Sequence, residues 1–163
     1  MIGLEDLTLL QKAEEVADSN WKLVQSWNDF DRQTLGKQFV RALDSVGANV
    51  AEAFGRFHYG DKINFLYYAR GSVFESKYWL NRAQKRGLIS DETHRMYAKK
   101  LTDIAVRINN FVRSLKKQRS SKPASNVLKE SGPVYHTKTD SETDFDIFDA
   151  DEISWLTQSP QNR

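Results

Sequence analysis

Asp91 and His94 stand three residues apart, a spacing with which one helix can offer a carboxylate and an imidazole to a metal ion. A carboxylate metal bundle needs such a motif on two helices plus two further carboxylates, and the sequence lacks that set. His58 and His136 are scattered and stand in no ligand spacing. Cysteine is absent, which excludes thiolate zinc sites and disulfide scaffolds alike. Gly55, Gly60 and Lys62 have a superficial likeness to a phosphate-binding loop. The spacing is off by one, no Ser or Thr follows the lysine, and no strand precedes it. Glu52 and Glu75 would be the carboxylate pair of an acid–base catalyst, yet nothing around them implies a cleft or a substrate group. No nucleophile stands beside a base. The chain is expected to be non-enzymatic, with no cofactor and no metal.

Two other patterns carry more. Arg41, Ser45, Asn49, Glu52 and Arg56 follow one another by steps of 4, 4, 3 and 4, which keeps them on one helical face. Ser72 and Glu75 interrupt an aromatic stretch containing Phe65, Tyr68 and Trp79. A solvated face accounts for the first line. A structural polar layer between two helices accounts for both, because a buried Glu75 needs an arginine partner, Arg41 or Arg56. The second pattern is cationic. Arg70, Lys77, Arg82, Lys85 and Arg86 fall in one stretch and Lys99, Lys100, Lys116 and Lys117 in the next, with Tyr67, Tyr68, Tyr78 and Trp79 beside the first. One helix with such a surplus would be a solvated face; two adjacent ones, with aromatics, point to nucleic-acid phosphates.

The elements that must position these residues are helices. Leu7, Leu10, Ala13, Ala17, Trp21, Val24 and Trp27 recur at steps of three and four, and Asn28, Asp29 and Asp31 break the pattern. A second stripe, Leu9, Val16 and Leu23, widens that apolar face beyond one core seam and is assigned to a subunit contact. The next segment runs from about Arg32 to Phe57 and a third from about Asp61 to Arg86. Gly87 follows Lys85 and Arg86 where a left-handed C-cap belongs. Ser90 is a natural N-cap, and Tyr97, Leu101, Ile104, Ile108, Phe111 and Leu115 then form a heptad-like seam. All three prolines lie beyond Arg119. The expected fold is all-α: an antiparallel up-down-up-down four-helix bundle over residues 1–119.

Residues 120–163 read differently. Periodicity stops, and Ser, Thr, Lys, Asn and Pro dominate up to about Thr143, so a disordered acidic C-terminal tail is expected. Residues 1–119 hold 20 Lys/Arg and 14 Asp/Glu, net 20 − 14 = +6; residues 120–163 hold 4 and 8, net 4 − 8 = −4. Near the end, acidic residues alternate with Phe145, Ile147, Phe148, Ile153, Trp155 and Leu156, the composition of a short docking segment. No apolar run approaches the roughly 18–20 residues that span a bilayer, and no basic segment precedes an apolar one at the N-terminus. A cytoplasmic location without a membrane partner is expected.

The sequence also resembles a known family. Leu4-Glu-Asp-Leu7 with Gln11-Lys12-Ala13, then Asn49-Val50-Ala51-Glu52, Phe54-Gly55-Arg56, Ala69-Arg70-Gly71-Ser72 with Glu75, and Gly87-Leu88-Ile89-Ser90 occur in order on successive segments. Over roughly residues 4–117 they resemble the four-helix-bundle proteins encoded in intervening sequences of bacterial 23S ribosomal RNA genes. Related bundles include the accessory protein of diversity-generating retroelements, a basic pentamer that binds nucleic acid and a reverse transcriptase. The resemblance implies a homo-oligomer, with a pentamer the best guess, that binds RNA or DNA and partners a reverse transcriptase. Leu10, Gly47 and Ala53 depart from the Trp, Pro and Gly common in the family, and the tail lies outside its pattern. The alternative function is a structural oligomeric scaffold or adaptor that displays its acidic-aromatic tail to a protein partner.

Overall fold

The computed structural model describes residues 4–120 and 146–160, with side chains from Thr8 onward. Every regular element among them is helical. Helix α1 spans Leu4–Gln25, and Trp27 follows it, buried, in the connection. The single turn α2, Asp29–Asp31, starts where Asn28 accepts the Asp31 N–H at 3.0 Å. It runs into a π-helical turn, Arg32–Gly36, closed by the Lys37 N–H on the Arg32 carbonyl. Helix α3 follows over Lys37–Gly55, α4 over Tyr59–Lys85, α5 over Asp91–Ser120 and the short α6 over Ala150–Thr157. The four long helices pack in a ring, α1 on α3, α3 on α4, α4 on α5 and α5 back on α1. That is the up-down-up-down bundle expected from short connections.

Local chemistry explains the corners. Gly87 has φ 72°, and the Leu88 and Gly87 N–H groups bond the Ala83 and Gln84 carbonyls at 2.9 Å each. Those are the two bonds of a Schellman C-cap, which a glycine makes without steric cost. Ser90 then accepts the Thr93 N–H at 3.1 Å and opens α5. At the other corner the π turn sets Gly36 against α1. A Cβ there would lie 2.5 Å from Val24 Cγ1, so glycine permits the approach.

Phe39, Val46, Val50, Leu66, Val73, Leu80, Leu101, Ile104 and Ile108 fill the bundle, none more than 1% exposed. Each such side chain contributes about 1.5–3 kcal/mol by leaving water. Tyr97 packs on Phe39 and shares a 2.8 Å hydrogen bond with Ser19, which ties α5 to α1.

Three expectations need correction. Leu9 and Val16 are core residues and Leu23 packs against the core, so this stripe is not a subunit contact. In the other row Leu10 and Ala17 also pack half-buried against the core, and Trp21, 55% exposed, is the apolar side chain that α1 turns outward. Two neighbouring apolar rows on one helix do not say which faces the other helices; here the row through Leu9, Ala13, Val16, Val24 and Trp27 does. Glu75 is exposed and accepts from the Trp79 indole at 3.2 Å one turn along α4, while Glu52 pairs with Arg56, four residues on. Neither Arg41 nor Arg56 reaches Glu75. What the layer residues build between α3 and α4 is smaller and uncharged: Ser72 donates to Ser45 at 3.0 Å, with Asn49 bonding the Ser45 carbonyl at 2.8 Å inside α3. The charged link is elsewhere, Lys62 donating to the Phe54 carbonyl at 3.1 Å. Last, the tail is not disordered over residues 146–160. Ile147, Phe148 and Leu156 are buried against the bundle.

Candidate functional site

The tail crosses a groove between α4 and α5 that two short patterns build. Arg70, Phe74 and Lys77 stand at steps of 4 and 3 on α4, and Asn109 and Arg113 at a step of 4 on α5, so each set lines one helical face. The tail segment organises itself. Glu152 N–H bonds Asp149 Oδ1 at 2.8 Å and Asp149 N–H bonds Glu152 Oε2 at 3.1 Å, a reciprocal capping box that starts α6.

Much of the recognition goes to main-chain atoms. The Asn109 amide donates to the Phe148 carbonyl at 2.7 Å and accepts the Phe148 N–H at 2.8 Å. Arg70 Nε donates to the Ile147 carbonyl at 2.8 Å while its terminal nitrogen pairs with Glu152. Lys77 Nζ donates to the Gln158 carbonyl at 2.6 Å. Arg113 takes both oxygens of Asp146, its Nε at 2.8 Å from Oδ1. Planar, paired contacts of this kind fix orientation as well as charge. Between the polar contacts Phe74 stacks on Phe148 at 5.7 Å and on Trp155 at 5.5 Å, with the Arg70 guanidinium 4.8 Å from the Phe74 ring centre.

The electrostatics follow from burial. Lys77 is 0% exposed, and desolvation pushes its ammonium down to about 8. The Arg113 hydrogen bond holds Asp146 below the usual carboxylate range, helped by the charges of Arg113 and Lys116. His94 lies buried, with Nε2 2.8 Å from Asn81 Oδ1; desolvation, and then the charge of Lys77, pushes it down to about 4. It is neutral at pH 7.

The nine cations expected to bind phosphate are not gathered on one open face. Arg70 and Lys77 lie in the groove under the tail. Arg82 is half-buried over the Tyr78 ring, and Lys85 and Arg86 are exposed at the C-terminal end of α4. Lys99 is exposed, whereas Lys100 leans toward Glu15 of α1 at 3.9 Å. Lys116, half-buried, and Lys117, exposed, stand near the far end of α5. Of the docking residues, Ile153 is half-buried, Trp155 is partly exposed, and Phe145 lies outside the described residues. Asn109 and Phe74 were not singled out by spacing or composition. The Asp149-to-Glu152 capping signature ahead of an apolar stretch was visible, and would have placed α6. Among the described residues no cluster of His, Asp and Glu could hold a metal, and no helix is long and apolar enough to cross a membrane.

The crystal structure of a protein with unknown function from the S23 ribosomal protein family of Bacteroides thetaiotaomicron is 25% identical, with a TM-score of 0.64, over 68% of this chain and 99% of that one. Aligned over nearly its whole length, it leaves about a third of this chain unmatched. No curated protein matches. A family model described as 23S rRNA-intervening sequence protein matches residues 5–110, which takes in α1, α3, α4 and most of α5 and stops short of the docked segment. The bundle, its corners and that match agree, and the chain belongs to the family of 23S rRNA-intervening sequence proteins.

Proposed function

We propose that this is a non-enzymatic accessory protein that binds the phosphate backbone of RNA or DNA through the cations of α4 and α5. Its own C-terminal segment occupies part of that surface in the resting state. One observation supports the reading above others: Arg70, Lys77 and Arg113 are already engaged by oxygen atoms, carboxylate and carbonyl, beside the aromatic ring of Phe74. A nucleic-acid strand offers the same chemistry, phosphate oxygens for the cations and a base to stack on the ring. Arg82, Lys85 and Arg86 add positive charge at the C-terminal end of α4, off the Arg70–Lys77 row.

The test is a salt titration of single-stranded RNA and DNA binding by the wild-type chain and by Phe148→Asp, which unseats the segment. Affinity should fall steeply with salt and depend little on sequence. It should rise in the variant by about tenfold for each 1.4 kcal/mol of docking removed. Equal affinities reject the competition between segment and nucleic acid; no binding by either protein at low salt rejects the nucleic-acid reading itself.

A scaffold that displays its tail is the other reading, and it must first release Ile147, Phe148 and Leu156 from the bundle. Self-association is proposed through the outward face of α1. Trp21 and Val40 line a groove of about 330 Å³ there, between α1 and α3. A five-subunit assembly and a reverse-transcriptase partner rest on the resemblance alone.

A further inference from the structure

We infer that the α4–α5 groove is a peptide-recognition site that takes segment 146–158 from a second copy of this chain as well as from its own. The inference is independent of nucleic-acid binding. Its first support is the kind of contact made. The groove reads the carbonyls of Ile147, Phe148 and Gln158 and the N–H of Phe148, and it seats the Phe148 side chain against Phe74. Those are the marks of a site for a linear peptide, main-chain bonds for affinity and a side-chain pocket for selectivity. Nothing in the contacts depends on which chain supplies the peptide.

The second support is the tether. Arg113, which holds Asp146, stands seven residues before the end of α5 at Ser120, about 10 Å along the axis. Residues 121–145 connect the two, 25 residues in all, enough to reach up to about 80 Å. The connection therefore exceeds what docking on the same chain requires by several-fold. It also exceeds the length of α5 itself, 30 residues or about 45 Å. A groove on an adjacent copy lies within that reach.

Charge is the third. Residues 1–119 carry net +6 and residues 120–163 net −4, so the tail of one copy is drawn to the body of the next. The capping box closes the first turn of α6 on the segment's own side chains, so a segment from another chain brings its helix start with it. Exchange of an identical element makes no new contact and loses none, so the balance between own and neighbouring groove is set by effective concentration.

The chain has no cysteine, which makes a clean crosslinking test available. Asn110→Cys places a thiol on the exposed side of α5 beside Asn109, and Ala150→Cys places one on the exposed start of α6. The two full-length single variants are mixed in equal amounts, equilibrated and treated with a short bis-maleimide, and peptide mapping reads crosslinks joining position 110 to position 150. Such links can form only between two chains. The expected result is a 110–150 product that grows with protein concentration and drops several-fold when Phe148→Asp is added to the Ala150→Cys chain, with the helical circular-dichroism signal retained. Two results overturn the inference. One is a double variant that crosslinks only within itself while the mixture yields no product at the highest concentration. The other is a mixed product that survives Phe148→Asp, which marks chance collision.

Discussion

Replacing Asn109 by leucine keeps the side chain's size and removes both hydrogen bonds to Phe148, made at 2.7 and 2.8 Å. Asn109 is 5% exposed, so water does not replace what is lost. Each bond contributes about 0.5–1.5 kcal/mol net, giving roughly 1–3 kcal/mol for the pair. The docking equilibrium should weaken by about 5- to 150-fold. The loss cannot exceed the docking free energy, because the segment can leave the groove and let water satisfy its backbone. The bundle itself should be indifferent, since α5 packs its seam through Leu101, Ile104, Ile108 and Leu115 on another face. Tryptophan fluorescence would blur the result across four indoles, so amide hydrogen exchange is the better assay. Protection of Phe148 and of the α6 amides should fall by that factor while protection in α3 and α5 stays unchanged. Undiminished protection over 147–157 would refute the role given to Asn109. Lost protection throughout α5 would mean that Asn109 supports the bundle and not the docked segment.

Gly36→Ala drives a methyl against Val24, where the added Cβ would lie 2.5 Å from Cγ1; a loss of about 1–3 kcal/mol is expected in chemical denaturation. Docked Lys77 keeps its proton only up to about pH 8, against an ordinary lysine value of 10.5. Between those values the docked form binds fewer protons than the undocked one, so docking should tighten as pH rises through the window and lose that dependence in Lys77→Met, read from the Leu156 methyl signals. Trp21→Lys should lower the mass seen in light scattering without lowering the melting temperature, whereas Leu9→Lys, placing a charge at a site 0% exposed, should unfold the chain. Glu75→Gln should change stability by less than about 0.5 kcal/mol and show no coupling to Arg41 or Arg56 in a double-mutant cycle.

The bundle was legible because its helices announce their own ends. Gly87, Ser90 and the seam from Tyr97 to Leu115 each act within one or two turns of chain, and the structure uses each as its type dictates. The two rows of α1 were not legible in the same way. Leu9 and Leu10 differ by about 100° around the axis, and only the positions of α3 and α5 decide which row is inside. Glu75 misleads for a related reason: of the aromatics around it, Phe65 and Trp79 are only half-buried and Tyr68 is exposed, so they do not make a buried setting. The groove was least legible. Its contacts join Arg70 to Glu152 and Asn109 to Phe148, residues that no periodicity relates. The charge imbalance between body and tail hinted that the two attract, but an amide that reads main-chain atoms leaves no mark on its partner's sequence.

That last point bears on how this segment can change over generations. Ala150, Asp151, Ser154 and Thr157 face outward along α6, while the groove grips the path of the backbone and a few apolar side chains. Mutations at the outward positions leave the grip intact so long as the helix still forms. The groove thus acts as a holder whose cargo can acquire new letters, a hydroxyl for modification or a charge for another partner, without having to learn a new way of being held.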